Sequence, residues 1–304
     1  MRIPAHLIIS TAAVALAASS WVETAPGQDK ANQDRSGAQA KCIRDLLWVW
    51  GNEAGTPGPH TIATFASARP ARQAELLGVP NIVMMGSVPK EVDARVREVV
   101  ATPRVVWQIS PDGKRNPPFA CTEQIDRIGK LVERYPRIEH GVILDDLSTG
   151  LMSNGIKPEH IRRMYQVIAK NRPTVEIWGV IYTMSFNQPH LDDYIKELDV
   201  LNLWTWHAKD TVNLEKNVAH CEQKHPHKPI VVGLYMYDYG DNRKIPMELH
   251  KQQCETALKL AHAGRIRGII FLSTADAPEA IAWTADWIKR VGSQKIGSPS
   301  GAQK

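Results

Sequence analysis

Along the chain, eight short apolar runs each give way to a polar stretch of about 15 to 25 residues, most with the spacing of an amphipathic helix. The runs are Leu46 to Gly51, Ile82 to Gly86, Val105 to Ile109, Gly141 to Asp145, Ile177 to Tyr182, Val200 to Trp206, Ile230 to Tyr235 and Gly268 to Ser273. Rich in β-branched and aromatic residues, they read as strands buried on both faces. Between them, Glu123 to Tyr135, Pro158 to Asn171 and Met247 to Ala263 read as helices, with Pro158 and Pro246 where helices begin and Gly264 where one stops. Eight regular units, with no glycine-rich phosphate fingerprint after the first strand, predict a closed α/β fold, a single (β/α)8 TIM barrel, over an open doubly wound sheet. In such a barrel the chemistry sits where the strands end.

The chain ends are different in character. Arg2, an apolar stretch from Leu7 to Ala18 and the small-residue site Ala15-Leu16-Ala17 have the order of a secretory signal, assigned to residues 1–24 with its cleavage region. The stretch falls short of the roughly 20 apolar residues a transmembrane helix needs. With no cysteine beside the cleavage site, a lipid anchor is not expected, and the mature protein is expected to be exported to a periplasm or beyond. A polar linker (25–41) and a Ser/Gly/Lys-rich tail (292–304) read as disordered. They flank about 250 residues (42–291), the usual size of one such barrel.

Charge changes this picture little. A net charge of +5, spread over helix surfaces without a block of like charges, gives no nucleic-acid or membrane patch. Four cysteines in an exported chain permit disulfides without requiring them, and Cys221 and Cys254 fall on neighbouring helices of the outer ring. Oligomeric state is not legible.

The fourth run leads directly into two adjacent aspartates, Asp145 and Asp146. Two anions this close repel, and partial burial raises carboxyl pKa values, so one can keep its proton near neutral pH. Glycoside hydrolysis needs such a donor beside a carboxylate that stays charged. Further candidate acids are Asp238 after the seventh strand and Glu53 after the first; as a turn residue beside Gly240, Asp238 also has a simpler reading. Around the same ends stand Trp50, Tyr182, Trp204, Trp206, His207, Tyr235 and Tyr237, whose flat apolar faces and polar edges suit sugars. Alternation places Asn202, Trp204 and Trp206 on the luminal face of the sixth strand, and Gln108 in the lumen from the third. Trp107 and Trp178 read first as packing residues.

With these residues assembled, the chain resembles the broad group of barrel-shaped glycoside hydrolases in which strand four reads Asp-Gly-Val-aliphatic-Leu-Asp, among them chitinase-like and polygalactosaminidase-like families. The corresponding run here is Glu139 to Asp146, about eight residues. The resemblance implies a catalytic or substrate-binding acid at Asp145, with Asp146 second. Where a chitinase-type strand carries alternating acids ending in a glutamate, Ile143 and Leu147 occupy the outer two of those three places, which argues against that mechanism. No specific family follows.

Three functions remain in view. The first is an exported enzyme cleaving an oligo- or polysaccharide through mouth carboxylates, with no metal and no cofactor. The second is a non-catalytic carbohydrate-binding barrel, which needs the aromatic rim alone. The third is a metal-dependent hydrolase or isomerase using Asp145, Asp146, His207 and His60, although strand one lacks a His-x-His pair.

Overall fold

The computed structural model describes residues 42–51, 68–85, 99, 101–109, 121–152, 155–171, 174–274 and 277–297. Glu53, His60 and residues 1–41 and 110–120 lie outside the described residues. Eight strands form a closed, all-parallel barrel in sequence order: β1 (Leu47–Gly51), β2 (Asn81–Met84), β3 (Arg104–Ile109), β4 (Glu139–Leu144), β5 (Glu176–Tyr182), β6 (Val200–Trp204), β7 (Ile230–Tyr235) and β8 (Gly268–Leu272). Closure comes from β1 pairing with β8, Leu47 opposite Ile269 and Val49 opposite Phe271. The helices described after the strands are α1 (Pro70–Leu77), α2 (Cys121–Arg134), α3 (Pro158–Asn171), α4 (Leu191–Lys196), α5 (Leu214–Lys224), α6 (Met247–His262) and, following β8, α7 (Pro278–Val291). The fold is therefore the single TIM barrel that the eight-fold alternation implies.

Helix ends follow their local chemistry. Pro70, Pro158 and Pro278 open α1, α3 and α7, where a missing backbone N–H costs nothing. Gly264 ends the α6 turn at φ 68°, a conformation that glycine adopts without a Cβ penalty. Among the described residues no helix is long and apolar enough to cross a membrane. Cys221 and Cys254 face the interior of neighbouring helices as free, buried thiols, so that disulfide is not formed; Cys254 Sγ instead lies 4.0 Å from His250 Nε2. Residues at the start of the expected tail pack back: Ile43 N–H donates to Gln294 O and Arg44 N–H to Gly292 O, both at 2.9 Å.

Side-chain alternation divides the interior into two compartments. Val49, Ile82, Trp107, Leu144, Ile177, Leu203, Val232 and Phe271 face the helices, whereas Trp48, Trp50, Val83, Val106, Ile143, Trp178, Val180, Tyr182, Trp204, Tyr235 and Ile270 fill the lumen. Trp107 thus packs outward as expected, its indole N–H donating to His140 Nδ1, while Trp178 packs inward. Such large luminal side chains need space from neighbouring strands. A Cβ on Gly233 would fall 2.0 Å from the Trp204 ring, and one on Gly268 would fall 3.0 Å from Trp48 Nε1.

The N-terminal end of the lumen is closed by polar groups. Arg267 forms a two-pronged ion pair with Glu176 at 2.7 and 2.6 Å and lies over the Trp178 ring; Arg104 lies over Trp48 and donates to the Asp45 carbonyl. Groups at this end of a TIM barrel serve stability, which leaves the opposite, C-terminal end for chemistry.

Candidate active site at the barrel mouth

β4 stops one residue earlier than the apolar run suggests, because Asp146 adopts the left-handed conformation (φ 49°, ψ 32°) and turns the chain into a single π-helical turn, Leu147–Leu151. The Asp146 carbonyl caps that turn, accepting from Gly150 N–H at 2.7 Å and Leu151 N–H at 3.0 Å. A non-glycine residue held at positive φ is disfavoured locally and persists where its surroundings fix it. The turn sends the two carboxylates to different environments.

Asp145 continues the luminal parity of Ile143 and is largely buried. Its Oδ2 accepts from Gln108 Nε2 at 3.0 Å and its Oδ1 from Asp146 N–H at 2.9 Å. Burial, and next the neighbouring Asp146 charge, push its carboxyl up to about 7, against an ordinary 3.8. Asp146 is exposed, and its Oδ1 accepts from Tyr182 OH at 2.8 Å. Tyr235 OH stands 3.5 Å behind Tyr182 OH. Burial is the largest cause raising both phenols above their usual range, so both stay protonated donors. Among the described residues, no lysine, arginine or histidine pairs with either aspartate.

The aromatic residues form a connected set with a floor and a rim. Trp50, Tyr182, Trp204 and Tyr235 are buried, linked by ring separations of 5.5 Å (Trp50–Trp204) and 4.6 Å (Trp204–Tyr235). Asn202, which the strand parity placed in the lumen, accepts the Trp204 indole N–H at 2.7 Å and donates to Val231 O at 3.0 Å. Trp206 and Tyr237 keep partial exposure. Trp206 leaves the β6 ladder, which ends at Trp204, and packs edge-on against Tyr182 and Tyr235. Tyr239 joins this rim between Trp206 and Tyr237, and its hydroxyl is held by Thr274.

Asp238 occupies a different environment. It is 1% exposed, and its carboxylate accepts from Ala208 N–H at 3.1 Å, Asp241 N–H at 3.3 Å and Arg243 Nε at 3.3 Å, all within the loops after β6 and β7. Those bonds tie the two loops together. His207 Nδ1 lies 3.1 Å from Asp241 Oδ1, and Gly240 packs directly on the imidazole ring, where a Cβ would meet Nδ1 at 2.2 Å. His207, Asp238 and Asp241 bring one potential ligand atom each within 4.8 Å of one another. Arg243 donates to both aspartates, to Asp241 Oδ2 at 2.9 Å, so a guanidinium supplies the positive charge at this cluster. Arg243 carried no periodicity or motif that singled it out in the sequence. Gln108 did, through its luminal parity, but its partner could not be read from one strand alone.

No family profile and no curated protein matches the sequence. Solved structures do match, and glycoside hydrolases are among them. One is active domain 2 of a Pyrococcus furiosus chitinase, a catalytic-site mutant complexed with chito-oligosaccharides (13% identity, 84% of this chain and 98% of that one, TM-score 0.53). Another is the Bacteroides thetaiotaomicron GH99 endo-α-mannosidase (12% identity, 81% and 97%, TM-score 0.53). A third is the Bacteroides uniformis β-glucuronidase 2, of which the match covers 31% (15% identity, 78% of this chain, TM-score 0.53). At these identities the likeness is one of fold, and this chain's function has to be argued from its own site.

Proposed function

We propose that this protein is an exported glycoside hydrolase-like enzyme that cleaves an oligo- or polysaccharide at the C-terminal mouth of its barrel. Asp145 is the proton donor to the leaving oxygen, and Asp146 is the charged carboxylate beside it. The observation that carries this reading is the asymmetry of the pair. A largely buried acid pushed up to about 7 can hold a proton at neutral pH, while its neighbour is exposed and receives a hydrogen bond from a phenol. Trp206 and Tyr237 offer the sugar a partly exposed aromatic rim. Asp238 serves to hold the loops, and Glu53 is the remaining acid to be tested as a second reacting carboxylate. The basic, apolar and small-residue order of the N-terminus supports export.

The test is Asp145→Asn assayed on a panel of glycans alongside sugar binding. An amide cannot donate as an acid does, so turnover should fall about 10²- to 10⁴-fold while binding persists. Binding without turnover by the native protein on every glycan would instead support the non-catalytic barrel.

A further inference from the structure

Tyr182, placed by its position at the end of β5 among the sugar-contacting aromatics, makes contacts of another kind. It is 6% exposed, its backbone N–H donates to Ser148 Oγ at 3.0 Å within the π-helical turn, and its hydroxyl donates to Asp146 Oδ1 at 2.8 Å. Both ends of one residue thus grip the same short segment, Asp146 to Ser148. Tyr235 reaches from β7 to the Tyr182 hydroxyl, and the Tyr182 ring is held edge-on against Trp206 at 5.7 Å. On the other side of the pair, Asp145 accepts from neutral amides, those of Gln108 and the Asp146 backbone.

We propose that Tyr182 is a positioning residue: its hydroxyl, backed by Tyr235, holds the Asp146 carboxylate in a fixed orientation beside Asp145 and so sets the division of roles between the two acids. This inference rests on the enzyme reading above. The physical reason is that a donor to a carboxylate oxygen favours the anion and is lost in part when that oxygen is protonated. A second carboxylate next to a fixed anion then retains its proton. Among the described residues, the titratable groups facing the site are Asp145 and Asp146 from the β4 end, Tyr182 from β5, and Tyr235 and Tyr239 from the β7 side. Both Tyr182 and Tyr235 stay protonated, so this donor is constant over the working pH range. The left-handed backbone of Asp146 then has a role, since it turns this side chain to the phenol while Asp145 stays in the lumen.

The experiment uses the full chain with ¹³Cζ-labelled tyrosine. Tyr182→Phe keeps the ring that packs on Trp206 and removes the donor. It should move the acid limb of the kcat/KM profile toward neutrality by about one pH unit, the tenfold that one hydrogen bond to a charged group carries, and leave the basic limb in place. Tyr235→Phe should move the same limb less, and the double variant should match Tyr182→Phe alone, because Tyr235 acts through Tyr182. Independently of turnover, the Tyr182 ¹³Cζ resonance should shift on Asp146→Asn. An active native enzyme whose acid limb ignores Tyr182→Phe, or a Tyr182 resonance indifferent to Asp146→Asn, would overturn the proposal. Absence of turnover in the native protein with that resonance still responding would instead overturn the enzyme reading beneath it.

Discussion

A carboxyl held near neutrality by burial carries a stability cost that can be measured without any substrate. The Asp145 carboxyl moves from an ordinary 3.8 to about 7 on folding. Because the folded chain keeps this proton to higher pH than the unfolded chain, it binds more protons between about pH 4 and 7, and stability falls as pH rises through that window. At about 1.36 kcal/mol per pH unit, the full difference is at most about 4 kcal/mol above pH 7. Water at the open mouth screens part of it, so about 2 kcal/mol is the working expectation. Asp145→Asn removes the charge and keeps the shape: its Oδ1 still accepts Asp146 N–H, and the Gln108 amide can turn to accept from the new NH₂. For a domain of this size the variant should melt about 4 to 8 °C above the native protein at pH 8, and within about a degree or two of it at pH 4. Equal melting at both pH values, or a native protein that is the more stable at pH 8, would refute the claim that burial holds this acid protonated.

Gly233→Ala places a methyl group inside the Trp204 ring's space, 2.0 Å away before relaxation, and should cost about 1 to 3 kcal/mol or more in urea unfolding; an unchanged midpoint would remove the indole–glycine account of luminal packing. Mass spectrometry of the protein from its native source should find a chain beginning soon after residue 17, recovered outside the cytoplasm, and an intact Met1 there would contradict export.

Much of the architecture was legible because a buried parallel strand writes itself as a continuous apolar run, and each of the eight lies within two residues of its expected bounds. The differences have local causes. β4 ends before Asp145 because Asp146 turns left-handed, and β6 ends at Trp204, after which the Trp206 carbonyl accepts Gly240 N–H instead of continuing the ladder. Parity also placed Gln108, Asn202 and Trp204 in the lumen. What period-two reasoning cannot supply is the partner across the barrel. Tyr182 and Asp146 are 36 residues apart, and Arg243, which neutralises Asp238 and Asp241, stands in an irregular loop where no periodicity operates. Burial depth was the other gap. Trp50, Trp204 and Tyr235 share strand ends with Trp206, yet only the structure separates floor from rim.

The central claim is that Asp145 donates the proton that breaks a glycosidic bond. It is tested most directly by turnover of Asp145→Asn and the native protein on the same glycan, with binding measured in parallel and chelator added in a further arm. The account predicts turnover about 10²- to 10⁴-fold lower in the variant, retained binding, and no effect of chelation, since acid–base catalysis by carboxylates needs no bound ion. Unchanged turnover in the variant, or native activity that chelator removes and a divalent cation restores, would contradict it.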